Sequence, residues 1–501
     1  MSPKVEALKC QTRIDPDLVM TALGKYAKYQ IFCVFLINCA SWMYAVEVLL
    51  LAFTAAQPPF TCLSVGSLSF FGPSFACGDK RTYFRFDPDF GQTLVSEWDL
   101  VCEHSFLAQL ATSIFMFVHL GGMVGLVLIC QISDCFGRKS TLITCLLLSG
   151  LLHFTSAFSP TYAVFLVLRF LLGLLSGGVA TVLYVYSCEV CPPQSRMIMI
   201  IIFNIVWTFC YVSIGVLAIY LTNWRTFTWV TALPVLLSLS FYWLLPESLY
   251  WLVAENKTEE AEEWIRVAGQ RNRVQIDLNK CLCSSTESQI HRPQRNIVHA
   301  LKTPVLCIYM ALFSFCGIAA TLIYWGLSLY STQMTENPYT GFILSGLIEL
   351  PAGILGPLFL KWFGRRTVGF WSFFLCAISL SALVFVPEDG PVWIVACLSL
   401  AGKFANLMIW GSTMLLGCEA FPTTIRNASG GLTSTVAKVG SILSAFVGPL
   451  AEIDRRLPPS IFGMVSFIAA ALHFCFPETK DKDLPEDLED TDAGPLLSRC
   501  F

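Results

Sequence analysis

The amino-acid sequence predicts an all-α membrane protein of twelve transmembrane helices arranged as two six-helix halves. Three observations carry this reading. Of 501 residues, 55% are hydrophobic and 13% charged, about half the charge of a soluble domain and more apolar side chain than a soluble core could hide. Apolar stretches long enough to cross about 30 Å of hydrocarbon recur along the whole chain. Short turn signals of the first half return in the same order in the second.

Residues 1-29 hold Lys4, Lys9, Arg13, Lys25 and Lys28 in a polar stretch and read as a cytoplasmic arm without a cleavable signal. The first half, 30-246, places spans near 30-53, 105-130, 140-158, 161-184, 197-220 and 226-245, with a polar Gly/Pro-rich outer loop at 54-104. A charged segment, 247-304, follows on the inside. Within it Asn256-Lys-Thr-Glu259 has the cap-then-acid pattern of a helix start. The second half, 305-477, places spans near 305-327, 339-360, 367-386, 391-416, 428-450 and 460-476, and 478-501 is a cytoplasmic tail.

Orientation follows from the basic residues. With both termini inside, the cytoplasmic segments carry twenty-three of the thirty-two Lys and Arg, the outer side six, and the spans only Arg169, Lys403 and Lys438. The two sequons, at Asn256 and Asn427, then lie inside, and the outer loop has none. Most of the twenty-one cysteines sit in apolar runs, where Cys is a small hydrophobe. Cys62, Cys77 and Cys102 share the outer loop, so one pair of them is a disulfide candidate. The Cys188-x-x-Cys191 pair has no second CxxC or His pair beside it, and no metal site is expected.

The internal echo is specific. Ser133-Asp134-Cys-Phe-Gly137-Arg138-Lys139 after span two returns as Lys361-Trp-Phe-Gly364-Arg365-Arg366 after span eight. Glu189 and Arg196 after span four are seven residues apart, as are Glu419 and Arg426 after span ten. Pro246-Glu247-Ser248 after span six returns as Pro477-Glu478-Thr479 after span twelve. A repeated half is the architecture of many secondary transporters, with the solute site near mid-membrane between the halves. Asp134, Glu189, Glu247, Glu419 and Glu478 are expected to face Arg138, Arg196, Arg365, Arg366 and Arg426, within each half and across a closed cytoplasmic gate. Each exposed pair is worth roughly 1 kcal/mol, and a network can bias a two-state equilibrium.

These motifs, with Ser96-Glu97-Trp98-Asp99-Leu100-Val101-Cys102, Pro246-Glu247-Ser248-x-x-Trp251-Leu252, Glu419-x-x-Pro422-Thr423-x-x-Arg426-Asn427 and Pro477-Glu478-Thr479-Lys480, resemble the major facilitator superfamily. Within it they resemble the organic ion transporter family, solute carrier family 22. The resemblance runs from the outer loop to the tail. It implies the major facilitator fold, a plasma-membrane location, and facilitative or secondary-active transport of a small organic ion, with or without a counter-transported ion. Cys130 and Cys135 depart from the pattern of the first turn, Lys361 from that of its second copy, and the outer loop is shorter and lacks the family's glycosylation sites.

A charge inside a span costs roughly 3 kcal/mol on insertion scales and usually faces a cavity. Glu47, Arg169, Glu349, Lys403 and Lys438 are such charges. Arg169 resembles the superfamily's structural motif in span four, and Lys403 a widespread family lysine with a gating or structural role. Lys438, in Thr433-Ser-Thr-Val-Ala-Lys438-Val-Gly440, resembles the basic residue of the organic-anion branch. A buried ammonium attracts a carboxylate or sulfate directly; the alternative is that Lys438 only pairs with Glu47 or Glu349. Gly353, where the anion branch often has a second Lys, and Glu47 both leave room for cations or zwitterions. Trp207, Tyr324, Trp325, Phe404 and Trp410 complete the expected aromatic wall, suited to amphipathic ions of either sign.

Organic anions are therefore the expected solute, with a cation or carnitine-like zwitterion as the alternative and a transport-inactive receptor or scaffold as the rival from another class. A net charge of -3 argues against a nucleic-acid partner. Lipid and a small organic ion are the partners expected. No phosphate-binding GxxxxGK[ST] loop is present, and six scattered His lack ligand spacing. Neither an enzyme nor a cofactor is expected.

Overall fold

The computed structural model describes residues 12–485 apart from 25–26, 59, 65–81, 87–90, 102–103, 121–128, 130, 193–194, 277–281, 285–302, 334, 336, 388–389, 423–424, 481 and 483–484. Nine described helices are long and apolar enough to cross a membrane: Lys28–Thr54, Tyr162–Val190, Ile198–Tyr220, Trp224–Leu244, Pro304–Tyr330, Pro338–Phe363, Arg365–Leu383, Val392–Ala420 and Leu457–Cys475. These are spans one, four to ten and twelve. Span two is described as Ser105–Leu120 and span three as Arg138–Ser156. Span three carries Arg138, Lys139 and His153 among its apolar residues, which lowers its hydropathy. Span eleven is broken into Arg426–Ala437, Val439–Ser444 and Val447–Ile453, as its Gly, Ser and Thr content favours.

Helix starts follow ordinary capping chemistry. Asn337 accepts from the N–H groups of Tyr339 and Thr340 with Pro338 at the first helical position, and Asn223 does the same for Arg225 and Thr226. The charged segment after span six forms short helices at Leu249–Ala254 and Thr258–Asn272. The second starts where the cap-then-acid pattern places it, with Glu259 and Glu260 in its first turn. Lys257 stands at the cap without a side-chain bond, because Asn256 is turned to φ +57°.

Two small antiparallel ribbons join the helices. Thr12–Ile14 pairs with Leu282–Ser284, and Phe60–Ser64 with Thr82–Phe86. The all-α expectation missed both, since neither segment alternates strongly enough to announce a strand. The first ribbon and the helix Pro16–Leu23, whose Val19, Met20 and Leu23 are buried, lay the N-terminal arm along the short helices. Cys62 falls in the second ribbon; its side chain, with Cys77 and Cys102, lies outside the described residues.

The interior divides into three main clusters. One joins the first half to the short helices through Tyr186, Leu249, Trp251 and Trp264. One fills the second half around Phe313, Phe373, Phe462 and Phe476. The third is shared: Leu49, Trp207, Tyr211 and Ile214 of the first half pack on Tyr324, Trp325 and Phe342 of the second. Large apolar residues left exposed, such as Leu151, Phe209, Trp243, Phe385 and Trp393, are costly in water and at home in lipid.

Candidate functional site at the seam between the halves

Trp207 and Tyr211 lie four residues apart on span five and so share one face. Tyr324 and Ser328 do the same on span seven, and Ser345 and Glu349 on span eight. Lys403 comes in from span ten. The indole of Trp207 donates to the Tyr324 hydroxyl at 3.1 Å, and that hydroxyl donates to Glu349 at 3.0 Å. Lys403 is wholly buried and pairs with the Glu349 carboxylate at 3.0 Å. Its ammonium also reaches Ser345 (2.7 Å), Ser328 (3.1 Å) and Tyr211 (3.3 Å). It stands 4.4 Å from the Tyr211 ring centre and 5.3 Å from that of Tyr324. One network thus runs from the first half through four spans.

This arrangement satisfies a buried ion pair whose desolvation would otherwise exceed its attraction. The ammonium shares its three hydrogens among four oxygens and lies beside two aromatic rings. Trp325 packs edge-on against Tyr324 at 4.9 Å. Tyr211, Ser328 and Ser345 were not singled out from the sequence; their four-residue spacing from Trp207, Tyr324 and Glu349 is the signal that marks them. Glu349 takes Lys403 as partner, not Lys438. Lys438 sits half-buried at the first break of span eleven. Phe404 is half-buried beside Lys403, and Trp410, 39% exposed, joins none of these contacts.

Glu47 and Arg169 form a separate buried group inside the first half. Arg169 donates to the backbone carbonyl of Glu47 at 2.6 Å, and its guanidinium lies 4.4 Å from the Phe115 ring centre. Glu47 therefore does not line the Glu349 network.

At the end carrying the basic turns, the repeated signals build the same device twice. Arg138 pairs with Asp134 (2.6 Å) and Glu189 (3.1 Å), and Arg365 pairs with Glu419 (2.9 Å). Glu247 accepts from the N–H groups of Arg138 (2.9 Å) and Lys139 (3.0 Å), capping the start of span three. Glu478 accepts from those of Arg365 (2.8 Å) and Arg366 (3.4 Å), capping the start of span nine. Gly137 (φ +95°) and Gly364 (φ +88°) make both turns, and a Cβ on either would strike the capping carboxylate. Burial pushes the Glu247 carboxyl above its ordinary range, against the backbone donors that hold it down.

Among the described residues these pairs stay within one half: Asp134 and Glu189 hold the Arg138 side chain and Glu419 that of Arg365, while Glu247 and Glu478 are taken by the helix starts beside them. Arg196 and Arg426 begin spans five and eleven; their side chains lie outside the described residues. Removing a capping carboxylate strands two or more N–H groups. Glu247→Ala and Glu478→Ala should each cost about 2 kcal/mol and add when combined, since they act in different halves. Thermal unfolding of the detergent-solubilised protein checks this; strong coupling between the two would disprove independent caps.

Comparison with known proteins fits this geometry. The model of the sugar (and other) transporter family matches residues 79–488. A solute carrier family 22 member 15-like protein of Xenopus tropicalis is 30% identical over 85% of this chain and 87% of its own length. The chain belongs to solute carrier family 22. Similarity also extends to an organic cation transporter protein of Drosophila melanogaster, 29% identical over 95% of this chain and 94% of that one. Solute carrier family 22 member 2 of Homo sapiens is 28% identical over 80% and 72%. Among solved structures, the inward-open xylose transporter XylE of E. coli superimposes with a TM-score of 0.65 at 17% identity, covering 90% of this chain and 98% of that one. The fold is that of the major facilitator superfamily, and the protein is a multi-pass transporter of small organic substrates.

Proposed function

We propose that this solute carrier moves organic cations, including zwitterions with a cationic head, by alternating access. The observation that carries the reading is Glu349: a buried carboxylate at the seam, flanked by the aromatic side chains of Tyr324 and Trp207. A cation entering from the exposed side competes with Lys403 for Glu349 and gains the aromatic faces Lys403 now occupies. The relatives named for cation transport support it and give the anion expectation no help. Seam contacts hold the halves together away from the basic turns, whereas the basic-turn pairs stay within halves. We read this as a state open toward the basic end, with that end and both termini cytoplasmic and the protein in the plasma membrane.

Lys438 favours a second reading, in which the solute also presents a carboxylate or sulfate. Uptake of labelled tetraethylammonium, carnitine, para-aminohippurate and estrone sulfate into expressing cells separates them. Tetraethylammonium or carnitine should enter fastest, and Lys438→Ala should reduce anion uptake several-fold more than cation uptake. Entry of anions alone would reverse the assignment. No entry of any probe into cells with surface protein would favour a receptor or scaffold.

A further inference from the structure

We infer that the turn between spans eight and nine carries a docking site for the headgroup of an anionic phospholipid. Only the choice of leaflet, the cytoplasmic one, rests on the orientation proposed above. The two copies of this turn differ in charge. Lys361 stands three residues before Gly364, where Asp134 stands three before Gly137. Asp134 pairs with Arg138 at 2.6 Å, and the Trp251 indole donates to the Asp134 carbonyl at 2.6 Å. The first turn is therefore supplied with an acid and covered by the helix Leu249–Ala254. The second keeps both basic residues after its glycine and sets a further cation in the place of the acid.

Three cations are left over at the second turn. Lys361 is exposed. Arg366 donates to the carbonyl of Phe476 at 3.3 Å and Lys480 to that of Trp362 at 2.9 Å, so both are tied to the turn and to the end of span twelve. Among the described residues no carboxylate pairs with these three side chains. Glu478 is spent on the N–H groups of Arg365, Arg366 and Thr367, and Glu419 on Arg365 and the Thr479 hydroxyl. Each cation keeps hydrogens for an outside acceptor. A phosphate, with a full charge and several acceptor oxygens, matches such donors.

The apolar surface beside them makes the partner a lipid. Ile354, Leu358 and Trp362 recur at four-residue spacing on the helix Glu349–Phe363 and are 44%, 37% and 60% exposed. Such a stripe lies along acyl chains. It ends at the Trp362 indole, a side chain suited to the headgroup level, with Phe363 exposed beside it. A lipid lying on the stripe brings its phosphate to the cations, whereas a soluble anion gains nothing from it. Three uncompensated cations favour a headgroup of net negative charge over a zwitterionic one.

The test is binding of radiolabelled phosphatidylserine or phosphatidylcholine to the full-length protein, stripped of lipid in detergent micelles. Micelles have no sidedness, so failure of the proposed orientation leaves the result intact. Phosphatidylserine should bind more tightly. Lys361→Gln and Lys480→Gln should each weaken it about fivefold and leave phosphatidylcholine unchanged. Trp362→Ser should weaken both lipids equally. Lys361 has an exposed side chain, so its variant decides the matter even where Lys480→Gln does not fold. Equal affinity for the two lipids, or a preference undiminished in Lys361→Gln, overturns the inference. Displacement of the lipid by equimolar glycerophosphoserine would show a site for the free phosphate and overturn it too. A preference seen only after removal of residues 486–501 would give the patch to that acidic segment instead of lipid.

Discussion

Lys403→Met is expected to be the most damaging single substitution in the membrane interior. It removes the ammonium that neutralises Glu349 and leaves Ser328, Ser345 and Tyr211 without their shared donor. Breaking a buried pair from one side typically costs about 3–5 kcal/mol, or roughly a fifth to the whole of a small domain's stability. Surface protein and thermal stability should fall together. Lys403→Met with Glu349→Leu should recover much of the stability, because an apolar pair of similar volume leaves no orphan charge. It should not recover uptake, because the carboxylate proposed to receive the cation is gone. Recovery of uptake in the double variant would show that the pair is a structural staple and that the solute binds elsewhere.

The contrast between stability and transport follows from where the pair sits. Ion pairs at the basic turns border water, are screened, and act through helix ends. Lys403 and Glu349 are buried away from solvent, which cannot take the place of either partner. For the same reason a conservative Lys403→Arg is not expected to be neutral: the planar guanidinium cannot occupy the compact pocket between Ser345, Ser328 and the Tyr211 ring without displacing one of them.

Much of the fold was legible because a bilayer imposes coarse rules. Twenty apolar residues make a span, and basic turns mark one face, so the spans and the repeated turns emerge from composition and spacing. The pairs Arg138–Glu189 and Arg365–Glu419 join residues of these repeated turns. What could not be read was partner choice among buried charges. Glu47, Glu349, Lys403 and Lys438 are equivalent as letters. Which acid meets which base depends on helix rotation and depth, and helix rotation depends on close packing that no periodicity encodes. The capping by Glu247 and Glu478 was hidden for a related reason: both face the N–H groups of spans three and nine, a demand set by backbone and invisible in side-chain charge patterns. Span eleven, weak in hydropathy and broken at Lys438, is where apolar length was the poorest guide.

The seam itself rests on small residues, and filling one of them should stop the cycle. Spans five and eight approach closely because Gly215, Gly346 and Gly353 place no side chain between them. A Cβ on Gly346 would lie 2.5 Å from the Tyr211 ring and 3.2 Å from Val212; one on Gly353 would lie 2.7 Å from the Asn204 amide. Gly346→Leu adds a branched side chain against the rigid Tyr211 ring, which is itself packed 4.5 Å from Phe342 and held at Ser345. The halves can relieve that overlap only by parting at the seam. To move a two-state protein from almost wholly closed to almost wholly open there takes about 5.5 kcal/mol, and overpacking typically supplies 1–3 kcal/mol per site. Gly346→Leu should therefore slow uptake by about tenfold or more while each half stays folded, and adding Gly353→Leu should deepen the block. A maleimide probe applied from outside should label a cysteine placed at Ser345 faster in the Gly346→Leu background than in the otherwise unaltered protein. Equal labelling, or loss of the folded protein, would mean that the two spans do not separate as rigid units at this seam.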